Sequence, residues 1–122
     1  PDAGRFELRL MDGSSNPYLL QAGVIAAGLH GVNNKIDPGK PLLCNMYTDY
    51  KNYPNLKKLP NEIEDALNFL QNSKELEEAF GKEVISSYIK LKNIEIEDFK
   101  KYEKFDKKSS VTHWEKNSTL DC

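Results

Sequence analysis

The stretch RFELRL near the start of the chain, followed closely by PYLLQAGVIAAGL, constrains the fold more than any other feature. Phe6, Leu8 and Leu10 fall on one side of an extended backbone, and Arg5, Glu7 and Arg9 on the other. That period of two is the pattern of a half-buried strand, from about residue 5 to 10. Asp12, Gly13, Ser14 and Ser15 are turn material. Asn16 then reads as a helix N-cap with Pro17 at the first helical position, predicting a helix from Pro17 to about Leu29 and a stop at Gly31. The residues of this helix are apolar almost all round, so other elements must enclose it. Gly23 and Gly28 would weaken an exposed helix but let a neighbour approach closely in a packed one. A single strand has no sheet of its own. Both elements demand partners.

The rest of the chain offers mostly amphipathic helices. Residues 33–60 read as irregular, with a turn at Asp37–Pro38–Gly39 and three tyrosines, Tyr47, Tyr50 and Tyr53. Asn61 reads as the cap of a helix whose stripe is Ile63, Ala66, Leu67 and Leu70. A short helix is predicted from Lys74 to Phe80, capped by Ser73 and stopped by Gly81. A long one follows from about Lys82 to Phe105, with Val84, Ile85, Tyr88, Ile89, Ile96 and Phe99 on its apolar side. The tail from Asp106 onward has no clear period, and Trp114 within it reads as incidental packing rather than a docking anchor. One strand and four helices do not close a domain.

Composition excludes several function classes. Of 122 residues, 39% are hydrophobic and 30% charged, with a net charge of -2, which lacks the basic footprint of a nucleic-acid binder. The interleaved Lys and Glu of the second half mark a solvated helix face. The longest apolar run is too short to cross a bilayer. Cys44 and Cys122 form no CxxC pair and no zinc spacing, and the chain opens on no signal peptide; the reading is a reducing cytoplasm. Pro1 stands where a start Met would, so a processed or cut chain is expected.

Glu7 and Arg9 carry the chemistry. A carboxylate on a rigid strand suits a hard cation such as Mg²⁺, and a guanidinium two residues along suits a substrate carboxylate or a transferring phosphoryl group. On spacing alone the pair reads first as an ion pair on the open face of a sheet, and one carboxylate does not satisfy a cation that wants six oxygens. His30 is placed to interact with a helix C-terminus, Cys44 has no adjacent base, and no phosphate-binding glycine motif is present.

Taken in order, Arg5, Glu7, Arg9, Asp12, Asn16-Pro17-Tyr18, Ala27-Gly28-Leu29, Gly31, Asn34-Lys35-Ile36 and Pro38-Gly39 resemble the end of the catalytic domain of bacterial-type glutamine synthetases. The likeness is specific up to about Gly39 and looser through CNMY, LPNEIEDALNFL and SSYIKLKNIEIEDF. It implies an α+β fold, mostly helical here, in which the strand at about 5–10 belongs to a larger antiparallel sheet. It places residues 1–106 in the C-terminal part of that catalytic domain and 107–122 in a tail.

The resemblance also implies roles. The family makes glutamine from glutamate, ammonia and ATP through γ-glutamyl phosphate, with Mg²⁺ or Mn²⁺, as ring-shaped homo-oligomers, without nucleic acid or membrane. Glu7 aligns with a carboxylate that holds the second divalent metal, and Arg9 with an arginine that contacts glutamate. Arg5 is given a supporting electrostatic role. No residue is assigned as the catalytic group itself. Tyr47 aligns with the tyrosine that some members carry as an adenylylation site, but the differing flanks at Cys44 and Thr48 argue against modification here. The turn LMDGSSNPY and the ending STLDC depart from the best-known members towards a branch with glutamate–methylamine ligases, so the amine stays open. The expectation is a C-terminal fragment, inactive alone. The competing reading is a non-catalytic helical scaffold that docks its strand and buried helix on a partner.

Overall fold

The computed structural model describes residues 4, 7–11, 13, 15–103 and 111–119. Among them stand six α-helices: α1 (Pro17–Asn33), α2 (Met46–Asp49), α3 (Ile63–Gln71), α4 (Lys74–Phe80), α5 (Lys82–Glu103) and α6 (His113–Thr119), with a 3₁₀ turn at Tyr50–Asn52. The expected strand is not seen: residues 7–10 carry no regular secondary structure. A strand is defined by its ladder, and none of the described residues offers a second strand to pair with.

Local signals set most helix ends. The Asn16 side chain accepts hydrogen bonds from the backbone N–H of Tyr18 and Leu19, with Pro17 behind it. Gly31 does not stop α1; the helix runs on to Asn33 and closes with a Schellman motif. There the Ile36 N–H donates to the Gly31 carbonyl at 2.9 Å and the Lys35 N–H to Val32 at 3.1 Å. Lys35 takes the left-handed conformation, with φ 51°, that glycine more often supplies. The Asp37 turn forms, its carboxylate accepting from the Gly39 N–H at 2.8 Å. At α3 the cap is Glu62 rather than Asn61, and it makes no side-chain cap bond. Ser73 caps α4 by accepting from the Leu76 N–H at 3.3 Å. Gly81, at φ 83° and ψ 148°, turns the chain directly from α4 into α5.

The core is thin. Leu67, Ile85 and Ile96 are the buried hydrophobic residues among those described. They seat α3 on α5, where Lys100 Nζ also meets Glu64 Oε1 at 2.8 Å. That bond from Lys100 chiefly lowers the Glu64 carboxyl pKa, although so exposed a pair contributes little to stability. Helix α4 packs on α5, and α1 packs on α4. Otherwise α1 is open: Ile25, Leu29 and Val32 are 60%, 56% and 75% exposed. A Cβ at Gly23 or Gly28 would meet nothing within 4 Å, so the close neighbour these glycines anticipate is not found among the described residues. The chain exposes 11378 Å² at a mass of 13.9 kDa, roughly 1.7 times the ~6,700 Å² of a compact monomer of that size.

The tail contains an element that its lack of periodicity hid. Thr112 and Glu115 form a capping box: the Thr112 hydroxyl accepts from the Glu115 N–H at 3.1 Å, and the Glu115 carboxylate accepts from the Thr112 N–H at 2.6 Å. Trp114 then docks α6 on α5. Its indole N–H donates to Asp98 Oδ2 at 2.8 Å and its ring meets Phe99 edge-on at 5.4 Å. The expectation of incidental packing is corrected, because this tryptophan is the anchor of the last helix.

Two outcomes follow from these contacts. Gly81→Ala places a side chain in a backbone region that is nearly glycine-only, and should cost about 1–3 kcal/mol, read as a lower urea midpoint by circular dichroism; an unchanged midpoint would contradict the geometry. The Trp114 hydrogen bond foremost, and Lys101 after it, lower the Asp98 pKa, with partial burial opposing them. A depressed carboxyl stabilises the fold above its unfolded pKa, and the contribution is lost as pH falls through the lower folded value. Trp114 is the chain's single tryptophan, so its emission should red-shift as pH drops below about 4, and Asp98→Ala should show the shifted emission already at neutral pH.

Candidate functional site

The segment leading into α1 is not a strand, and residues 7–10 are all exposed. Leu8, Leu10 and Met11 line one side of an open groove of about 720 Å³, with Leu19, Leu20, Gly23 and Val24 of α1 and Leu76 of α4 on its other sides. The Glu7 and Arg9 side chains stand in solvent, 70% and 79% exposed. Arg9 Nε donates to Glu7 Oε1 at 2.5 Å, a charge-assisted bond between residues two apart.

Ser73, Glu75 and His30 supply the polar part of the groove lining. The Glu75 carboxyl pKa is lowered, first by its own backbone N–H and then by the Ser73 hydroxyl; burial opposes, and His30 and Lys74 add weak attraction. His30 lies in the last turn of α1, where its carbonyl accepts from the Asn34 amide at 2.9 Å.

Arg5 and Asp12 lie outside the described residues. Tyr47 sits on α2, 90% exposed, and shares no element with Glu7 and Arg9. Its neighbourhood is a sulfur contact, with Cys44 Sγ donating to Met46 Sδ at 3.5 Å. Cys44 also bonds the Tyr53 hydroxyl, which raises the Tyr53 pKa.

A hard divalent cation asks for six oxygens. Among the described residues no three His, Cys, Asp or Glu side chains gather to hold one. Glu7 has the right donor chemistry and the access, so it fits as one ligand of a set completed elsewhere. The groove beneath it went unread in the sequence, because Leu76 lies far from Leu8 along the chain and only tertiary packing brings them to one place.

So exposed an ion pair holds little of the fold. Glu7→Gln and Arg9→Gln should each leave the urea midpoint of this chain within error of the parent; a clear loss of stability in either would assign the pair a structural role instead.

Comparison with known proteins agrees over nearly the whole chain. The family described as glutamine synthetase, catalytic domain, matches residues 1–116. A glutamine synthetase of Rhizobium meliloti (strain 1021) is 46% identical over 121 residues, covering 99% of this chain and 26% of that protein. A glutamate–methylamine ligase of Methyloversatilis universalis is 37% identical over 122 residues, covering 97% of this chain and 25% of that protein. Among solved structures, the GmaS/ADP complex in its conformation 1 superposes with a TM-score of 0.75 at 38% identity, over 100% of this chain and 26% of the other. The chain thus spans about a quarter of the length of the curated relatives it matches.

Proposed function

Since the chain belongs to the glutamine synthetase catalytic-domain family, we propose that it forms the C-terminal part of an ATP-dependent glutamate–ammonia ligase, with residues 1–106 in the catalytic domain and 107–122 as its tail. The observation that carries this reading is the Glu7–Arg9 pair, a carboxylate and a guanidinium presented together on one solvent-facing side. In a complete domain, residues 5–10 would pair as a strand of a larger sheet, and the alternation of the sequence would then fix which side chains face the site.

Each charged residue has a task suited to its chemistry. Glu7 is one oxygen ligand of a divalent cation, Mg²⁺ or Mn²⁺, which when bound neutralises charge on the phosphoryl group moving from ATP to the glutamate side chain. Arg9 holds a glutamate carboxylate by charge-assisted hydrogen bonds. In the structure the two side chains pair with each other. Arg5, in step with Glu7 and Arg9 in the sequence, adds positive potential. Ammonia then displaces phosphate from the γ-glutamyl phosphate so formed. Ring-shaped homo-oligomers and a cytoplasmic setting, as the family implies, complete the proposal. Glutamate–methylamine ligase is the second reading. It is favoured by the 37% identical relative of that name and leaves the assigned roles of Glu7 and Arg9 unchanged.

The test uses the full-length protein that contains this chain. ATP-dependent ligation is measured with glutamate and ammonia, then with methylamine, in parent and Glu7→Ala forms. The parent should prefer ammonia, and Glu7→Ala should lose roughly a hundredfold in activity and bind Mn²⁺ more weakly in a direct titration. A parent inactive with either amine, or a Glu7→Ala form with unchanged Mn²⁺ binding and activity, sinks the reading.

A further inference from the structure

Helix α1 has an apolar stripe that the described residues leave largely in water. Tyr18, Ile25 and Val32 recur every seven residues and are 82%, 60% and 75% exposed. Ala22 and Leu29 fall between them; Leu29 is 56% exposed and Ala22 half-buried. Alternating steps of four and three residues put all five on one side of the helix, which is the spacing of a coiled-coil seam. The opposite side of α1, with Leu20, Gly23 and Ala27, lines the groove shared with α4. The stripe therefore faces away from the packing that α1 already has.

Three observations say what fits it. Set against an inverted copy of itself, the stripe pairs Ile25 with Ile25, Ala22 with Leu29 and Tyr18 with Val32. Small meets large on both flanks of the central isoleucines, and such self-complementarity is what a two-fold interface requires. Next, α1 contains no Asp, Glu, Lys or Arg. A second copy approaches without like-charge repulsion, and antiparallel packing sets each positive helix start beside the other's negative end. An anionic membrane or a charged partner finds nothing there to pair with. Last, the chain exposes 11378 Å², far above a compact monomer, so it has apolar surface to gain from burial. A seam along 17 residues is about 25 Å long and covers less than the ~800 Å² per partner of a standard interface, which makes the association weak.

We propose that two copies of the 122-residue chain associate through α1, antiparallel about a two-fold axis at Ile25. This goes beyond the ligase reading, because it concerns the chain on its own. Half-association falls at roughly tens of micromolar, the range of small interfaces. Well below that concentration the chain is a monomer, and α1 is open to hydrogen exchange.

Sedimentation equilibrium of the 122-residue chain, from about 1 to about 300 µM, tests the proposal. The mean mass should rise from one chain towards two and stop there. Ile25→Lys and Ile25→Glu each set like charges face to face at the axis, and each should raise the dissociation constant about tenfold or more. Mixed in equal amounts, the two forms should associate again, because each cation then meets a carboxylate. Val32→Lys should also weaken association. Both positions are exposed, so circular dichroism should match the parent; if the Ile25 variants do not fold, Val32→Lys decides. A parent that stays monomeric throughout, or that grows past two, overturns the proposal. So does a folded Ile25→Lys form that associates like the parent, or a Lys and Glu mixture that stays monomeric. A parent that binds neutral phosphatidylcholine vesicles but not itself would give the stripe to a lipid surface, and overturns it too.

Discussion

Helix α1 cannot satisfy itself. It is apolar almost all round, yet the described part of the chain offers it only α4 and the short segment holding Leu8 and Leu10. Burying apolar surface is the main force that drives a chain to fold, and here much of that surface stays in water. The same shortage of buried surface shows in the thin core of Leu67, Ile85 and Ile96 and in the excess of accessible area. The chain spans about a quarter of the length of the curated relatives it matches.

The same constraint explains why the candidate site looks incomplete without looking wrong. Glu7 and Arg9 pair with each other in solvent, without a sheet around them. What a metal site also needs is convergence of several oxygen donors, which no arrangement of the described residues supplies. An exposed ion pair of this kind contributes little to the fold.

Much of the fold was legible in the sequence wherever the determinant is local. Asn16 before Pro17, Ser73 at the start of α4 and Gly81 at its end each act within a few residues, and each did what its chemistry dictates. The capping box of Thr112 and Glu115 was equally local, and was hidden only by the weak apolar period around it. Other features were not legible because they depend on distant residues. The Trp114 to Asp98 bond joins positions 16 apart, and the groove that Leu8 and Leu76 both line joins positions far apart in the sequence. The strand failed for the opposite reason: its pattern is clear, but a strand is a property of two segments, and the second is not among the described residues. The family was legible from the run between Arg5 and Gly39, since those anchors occur in a fixed order, and the match over residues 1–116 agrees.

We place α1 inside a larger catalytic domain. Amide hydrogen exchange tests this most directly, comparing α1 in the 122-residue chain with α1 in a longer protein that contains it. Residues 21–33 should exchange readily in the chain alone and be protected by orders of magnitude in the longer protein. Equal protection in the two forms would show that α1 is already satisfied, and would contradict this placement.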